Sequence, residues 1–296
     1  MKRAVTFLVF LFCTQILLSQ ELNKTVEIAN GSKMLLGPID RDGLTQHPFD
    51  KWFNAIYENY LINEQVINNI KDTLQGYTIT AFLGTWCGDS KRQVPKFYKV
   101  LDATNFNLEQ LEIVALDRSP EAYKQSPNRE EQGLNIHRVP TFIFYKDGEE
   151  VNRIVESPRT TFEKDIQAII EGQYTANYMA ANYLDGRIRS EGIEKLKRVE
   201  NELVKKLSEF VRGSKELNTM GYVKLSAKEY DEAIFVFQLN TKIFPYNVNV
   251  FDSLGEAYFK VKDYKNALVN YQKVLDQDRN DKNALSMVRT IKDAMK

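Results

Sequence analysis

The chain has 296 residues, with 40 Lys plus Arg against 40 Asp plus Glu, 43% hydrophobic and 11% aromatic residues, and only 14 Gly and 8 Pro. It is too long for one small domain and too apolar for a disordered chain. A formal net charge of zero offers no basic field to neutralise phosphates, so neither nucleic-acid binding nor a polybasic hold on a membrane surface finds support.

Lys2 and Arg3 precede an apolar run from Ala4 to Leu18, and Ser19, Gln20 and Glu21 follow it. That order of charge, apolar core and polar exit is that of a secretory signal peptide, and the run is shorter than the roughly 20 apolar residues of a spanning helix. The expectation is an exported protein, periplasmic or in the cell envelope, with residues 1–20 as the signal. An uncleaved anchor or lipid attachment at Cys13 stays the alternative. Cys13 and Cys87 are the two cysteines of the chain, so loss of Cys13 with the signal leaves one thiol and no intramolecular disulfide.

Residues 21–59 read as an N-terminal extension. In it Met34 to Pro38 and Gly43 to Pro48 are expected as loops, and Phe49, Trp52, Phe53, Ile56, Tyr57 and Tyr60 mark a helix with a buried aromatic face. A second helix covers Glu64 to Leu74. The β-branched and aromatic run Tyr77 to Leu83 reads as a strand, followed by the turn Gly84 to Ser90 and a helical pattern through Val94, Phe97, Tyr98 and Leu101. Leu111 to Leu116 is another strand. Thr141 to Tyr145 and Val151 to Val155 form a hairpin about Asp147-Gly148, and a helix from Thr160 to Ile170 closes the unit. The fold class expected for residues 60–172 is an α/β sandwich with a central mixed sheet flanked by helices.

Beyond Gly172 the strand signal ends. Ile193, Leu196, Val199, Leu203, Leu207 and Phe210 recur at spacings of three and four, giving bridging helices over 173–213. From residue 214 to 296 the chain repeats itself at a period of 34 residues: Gly221 matches Gly255, Tyr230 matches Tyr264, Ala233 matches Ala267, and Phe237 matches Tyr271. A fixed period of this length means an all-α stack of helical hairpins. The pattern resembles the tetratricopeptide repeat through Leu254-Gly255, Tyr258, Ala267 and Tyr271, and the first copy departs from it by placing Lys224 where a tyrosine is expected. A last helix from Asp281 to Met295 would cap the stack, with Leu285 and Val288 inward.

Cys87 stands between a buried strand and a helix start, where free backbone N–H groups and the helix dipole favour an anionic sulfur. Trp86-Cys87-Gly88 before a helix, and Val139-Pro140-Thr141 opening a strand 53 residues after the cysteine, resemble thioredoxin. The resemblance implies that Pro140 is cis and lies against the Cys87 sulfur, that Val139 pairs with an extended substrate strand, and that Trp86 flanks the thiol. It also sets out the departures. The second cysteine of the family's motif is replaced by Ser90 in Cys87-Gly88-Asp89-Ser90, so a mixed disulfide must be resolved by an outside thiol. The family's buried carboxylate falls on Ala81. Asp89 opposes an anionic sulfur, and Lys91 and Arg92 support it if they turn inward.

The two histidines, His47 and His137, have no second cysteine to form a zinc site, and no phosphate-binding glycine loop appears. No metal and no cofactor is expected. His137 precedes Pro140 by three residues and could sit near Cys87, with a plain loop histidine as the simpler reading. The function expected is that of an exported monothiol protein exchanging thiols and disulfides with a protein or small-molecule partner through Cys87, the repeats recruiting a protein partner apart from the chemistry. The alternative is a redox-inactive adaptor in which both halves bind polypeptide.

Overall fold

The computed structural model describes residues 21–28 and 31–296. The signal segment expected at 1–20, with Cys13, lies outside the described residues. No helix among the described residues is long and apolar enough to cross a membrane.

β1 (Thr25–Glu27) and β2 (Lys33–Leu35) form an antiparallel hairpin. β3 (Gly37–Ile39) and the helices α1 (Arg41–Thr45), α2 (Asp50–Asn59) and α3 (Glu64–Leu74) follow. Then come β4 (Thr78–Leu83), α4 (Gly88–Ala103), β5 (Leu111–Ala115), β6 (Thr141–Lys146), β7 (Glu149–Val155) and α5 (Phe162–Ile170). One five-stranded sheet has the order β3-β5-β4-β6-β7, with β4 and β5 parallel and every other pair antiparallel. The mixed sheet between helices is the fold class expected from the sequence. Asp147 and Gly148 both have positive φ, the conformation a two-residue hairpin loop demands between β6 and β7.

Met34 to Pro38 is not a loop. Its residues enter β2 and β3, and β3 is the edge of the main sheet, paired only with β5, where Pro38 stands opposite Val114. An edge strand tolerates a proline because one side of its backbone needs no partner. The segment read as an extension thus supplies a strand to the sheet, and its Ile39, Leu44, Phe49 and Phe53 share one apolar core with Val94 and Phe97 of α4 and Phe142 of β6. The aromatic face of α2 turns inward as its spacing requires: Phe53 is 1% exposed and stacks with Tyr57.

The remaining helices are α6 (Met179–Glu191), α7 (Ile193–Arg198), α8 (Glu200–Ser208), α9 (Ser214–Ser226), α10 (Tyr230–Ile243), α11 (Val248–Lys260), α12 (Tyr264–Gln277) and α13 (Lys282–Ala294). The helical pattern from Ile193 to Phe210 breaks at Val199, so it makes two short helices, and Gly192 at φ +75 separates them from α6. α9 with α10 and α11 with α12 are the two hairpins of the 34-residue repeat. A Cβ on Gly221 would meet the Phe237 ring at 2.5 Å and one on Gly255 the Tyr271 ring at 3.0 Å, so in both copies a glycine lets an aromatic of the partner helix seat against its backbone. Lys224 is buried and neutralised by Asp185 at 3.5 Å, Glu229 at 3.3 Å and Glu232 at 2.5 Å, which explains how a cation is accommodated inside the helical stack. In α13 the inward face is Ala284, Val288 and Ile291, so Val288 points inward as expected while Leu285 is exposed, its place in the cluster taken by Ala284.

The helical half is docked on the stretch between β5 and β6. Ser226 Oγ of α9 accepts from the backbone N–H of Tyr123 at 2.8 Å and from Gln125 Nε2 at 3.1 Å, and its hydroxyl reaches the Pro120 carbonyl at 3.2 Å. Asn135 donates to Asn182 Oδ1 at 3.1 Å, and Arg189 donates to the Gly133 carbonyl.

Candidate active site

β4 is buried along most of its length and ends at Leu83, so the chain must turn sharply to start α4. Gly84 makes that turn possible, since a Cβ there would stand 2.5 Å from the Trp86 indole. Trp86 Nε1 donates to the Leu116 carbonyl at 2.8 Å, which fixes the ring beside the sulfur. Thr85 is buried and its Oγ1 accepts from the Leu35 N–H at 3.0 Å, tying β2 to the same turn.

Cys87 is the N-cap of α4, with extended backbone at φ −87 and ψ 129, and is partly exposed. Its Sγ lies 3.4 Å from the Val139 carbonyl oxygen, a contact in which the thiol donates. The Val139-Pro140 peptide is cis, as the resemblance implied, and the structure also shows a cis bond at His47-Pro48. Cys87 makes no side-chain capping bond to the first turn of α4, and the positive end of the helix dipole suits an anion there. Asp89 and Arg92 pair with each other on the exposed side, so their charges largely cancel before they reach Cys87. Ser90 is fully buried, and its Oγ accepts from the Gly84 N–H at 3.2 Å. The side chain in the second motif position therefore braces the turn. Ala81 is buried on β4 at 1% exposure.

Trp86, Cys87, Val139 and Pro140, separated in sequence, are brought together here, with Gly88, Asp89 and Ser90 on the first turn of α4. His137 is buried, with Nδ1 3.1 Å from the Asn135 carbonyl. Burial pushes its pKa down to about 3, Asn135 acting against that and Lys124, Arg138 and Arg153 adding to it, so the ring is neutral at any ordinary pH.

Three residues that sequence patterns did not single out complete the site. Tyr123 packs its ring 6.3 Å from that of Trp86. Lys124 is 4% exposed, stands over the Tyr123 ring at 4.3 Å, and donates through Nζ to the His137 carbonyl at 2.7 Å. Arg138 pairs with Glu156 at 3.0 Å, stands over the Tyr178 ring at 4.7 Å, and donates to the Lys215 carbonyl of α9 at 3.2 Å. The residue just before Val139 is thus held by the helical half. A groove of about 550 Å³, lined among others by Pro120, Tyr123, Tyr222, Leu225 and Lys260, lies between the β5–β6 stretch and helices α9 and α11.

Residues 47–168 match a family model described as thioredoxin. The chain is 34% identical over 89 residues to a thioredoxin of Chlamydia muridarum, a stretch covering 30% of this chain and 78% of that protein. It is 33% identical over 88 residues to a thioredoxin of Chlamydia trachomatis serovar D, covering 29% and 76%. It is 28% identical over 93 residues to thioredoxin Asp f 29 of Aspergillus fumigatus, covering 31% and 77%.

Proposed function

Because this chain belongs to the thioredoxin family, we propose that it is an exported, monothiol member of it that exchanges thiols and disulfides through Cys87, with the helical region, read as tetratricopeptide repeats, recruiting a protein partner. The observation that carries the reading is the placement of the Cys87 sulfur, partly exposed at the start of α4 and 3.4 Å from the Val139 carbonyl beside cis-Pro140. A thiolate there attacks one sulfur of a partner disulfide. The bond to Cys87 forms, the partner's S–S bond breaks, and the departing thiolate takes up a proton. With a buried serine at position 90, the resulting mixed disulfide waits for an external thiol. Residues 2–20 support export, and the groove between α9, α11 and the β5–β6 stretch supports capture of a polypeptide.

The test is a non-reducing gel of the protein from its native compartment beside Cys87→Ser. Adducts that vanish with reductant and are absent from the variant are expected, along with exchange against a small disulfide that drops at least about a hundredfold in the variant, because no other thiol follows position 13. If wild type and variant give the same gel and the same exchange rate, the redox reading fails, and a polypeptide-binding adaptor, favoured by the structural use of Ser90, takes its place.

A further inference from the structure

A buried lysine is costly unless something uses its charge. Lys124 sits in a loop, has the left-handed backbone conformation at φ +57 that long side chains seldom adopt, and is 4% exposed. A Leu or Met would fill the same space without desolvating an ammonium. Its surroundings lead back to the sulfur by two routes. Lys124 stacks on Tyr123, which packs on Trp86, the residue before Cys87. Its Nζ binds the carbonyl of His137, two residues before Val139, whose own carbonyl receives the Cys87 thiol.

We propose that Lys124 is the charge partner of Cys87: a buried amine whose protonation follows the ionisation of the sulfur. The inference rests on Cys87 acting as a thiolate, and it makes Lys124 a positioning residue for that charge.

The groups facing the amine set the balance. Burial first, then the Arg138 guanidinium, draws the Lys124 pKa down to about 7, with the Cys87 and Glu156 charges acting the other way. Tyr123 is held neutral by burial, its phenol pushed up. His137 is neutral as described. On the helical side, across a cavity of about 150 Å³, Asp185 of α6 is paired with Arg189 at 2.8 Å and with Lys224 of α9 at 3.5 Å, and Glu229 and Glu232 are taken by Lys224. Arg129 is paired with Glu131 at 2.7 Å. Cys87 is therefore the facing group whose charge changes during the reaction. While the sulfur is a thiolate it favours the ammonium. Once the sulfur has entered a mixed disulfide that support is gone, and the proton Lys124 releases balances the one the leaving thiolate takes up. Amine and thiolate thus trade one proton over a cycle, with no other acid needed.

The experiment measures the pH dependence of Cys87 alkylation by iodoacetamide in the full chain, which reads ionisation of the sulfur without any partner or disulfide. In Lys124→Met, shown to be folded by circular dichroism, the rate should fall about fivefold at pH 6, where the ammonium is largely charged, and about twofold at pH 7, as a coupling of about one pH unit requires. Lys124→Arg, which keeps the charge, should recover most of that loss. A reciprocal reading uses the unaltered lysine. Carbon NMR of labelled lysine side chains should show the Lys124 midpoint moving down in Cys87→Ala, because the two groups must affect each other equally. A folded Lys124→Met whose profile superimposes on wild type overturns the proposal, as does a Lys124 titration indifferent to Cys87→Ala, and the second reading decides if Lys124→Met does not fold. Failure of disulfide exchange with coupled titrations intact would refute the proposed function and leave this coupling standing.

Discussion

The sulfur site and the helical repeats use the same close packing of glycine against an aromatic ring for different ends. At Gly84 the approach of Trp86 shapes one turn around one atom. At Gly221 and Gly255 it joins neighbouring helices and recurs after 34 residues. The α/β unit buries its sheet and helices mainly in one large apolar cluster, with a smaller one beneath the Cys87 turn. The helical region has three, each spanning a few adjacent helices. Local clusters let a stack be extended or altered one unit at a time, whereas a shared core ties the position of Cys87 to residues as distant as Leu35 and Leu116. The two halves meet at the β5–β6 stretch, which belongs to the first and is held by the second.

Acid separates the halves most strongly. His137 has its pKa depressed to about 3 in the folded chain against about 6.5 when unfolded. Between those values the unfolded chain binds a proton that the folded chain refuses. The stabilisation from the neutral ring is therefore complete above about pH 6.5 and is lost as pH falls. From pH 6.5 to 4.5 the loss is about 2 kcal/mol. No histidine follows position 137, so the helical half has no buried imidazole to take up a proton in that window. Hydrogen exchange at pH 5 should speed up through residues 117–140 before it does so in α11 to α13. Uniform acceleration along the chain would show that the two halves open as one unit.

The two repeats can be set against each other. At Gly221 an added methyl would overlap the Phe237 ring, which is fully buried and edge-on to Tyr222, so it cannot swing aside. Overpacking of this kind costs about 1–3 kcal/mol, more than the roughly 1 kcal/mol that alanine gains over glycine in a helix. At Gly255 the nearest atom of Tyr271 lies at 3.0 Å and a shift of a few tenths of an ångström suffices. Gly221→Ala should lower stability by about 1–2 kcal/mol in urea unfolding, with Gly255→Ala near neutral. Equal losses would mean that the second hairpin is as tightly closed as the first.

Strands β4 to β7, α2 and the paired helices were legible in the sequence because each carries its period through several residues, and the Cys87 and Pro140 motifs were legible because their residue types are unusual. β3 was hidden by its length of three residues and by Gly37-Pro38, which reads as a turn until β5 is known to lie beside it. Lys124 was hidden for another reason. A lone lysine in a polar loop looks solvated, and only the docking of α6 and α9 over that loop removes the water. Ser90 was visible as a missing cysteine, while its bond to the Gly84 N–H depends on how the turn closes. What periodicity conveys is the face of an element. What it omits is contact between loops and distant helices, and the finer parts of this site are of that kind.

The smallest predicted effect bears on that contact. Ser226 places one hydroxyl against the Tyr123 N–H, the Gln125 amide and the Pro120 carbonyl, and so is the most connected single atom between the halves at this loop. Ser226→Ala removes about one side-chain hydrogen bond's worth of stability, roughly 1 kcal/mol, most of it from the Tyr123 N–H left without an acceptor. The repeats should stay folded, because Ser226 is the last residue of α9 and its methylene contributes little to their clusters. Amide exchange at Tyr123 should rise about fivefold, the factor that follows from roughly 1 kcal/mol. Alkylation of Cys87 should change in the same variant, since Tyr123 is the ring that abuts Trp86. Faster exchange at Tyr123 with unchanged alkylation would mean that the helices hold the loop without shaping the sulfur's surroundings, and the division of labour expected from the sequence would stand. A change in both would make the helical half part of the site.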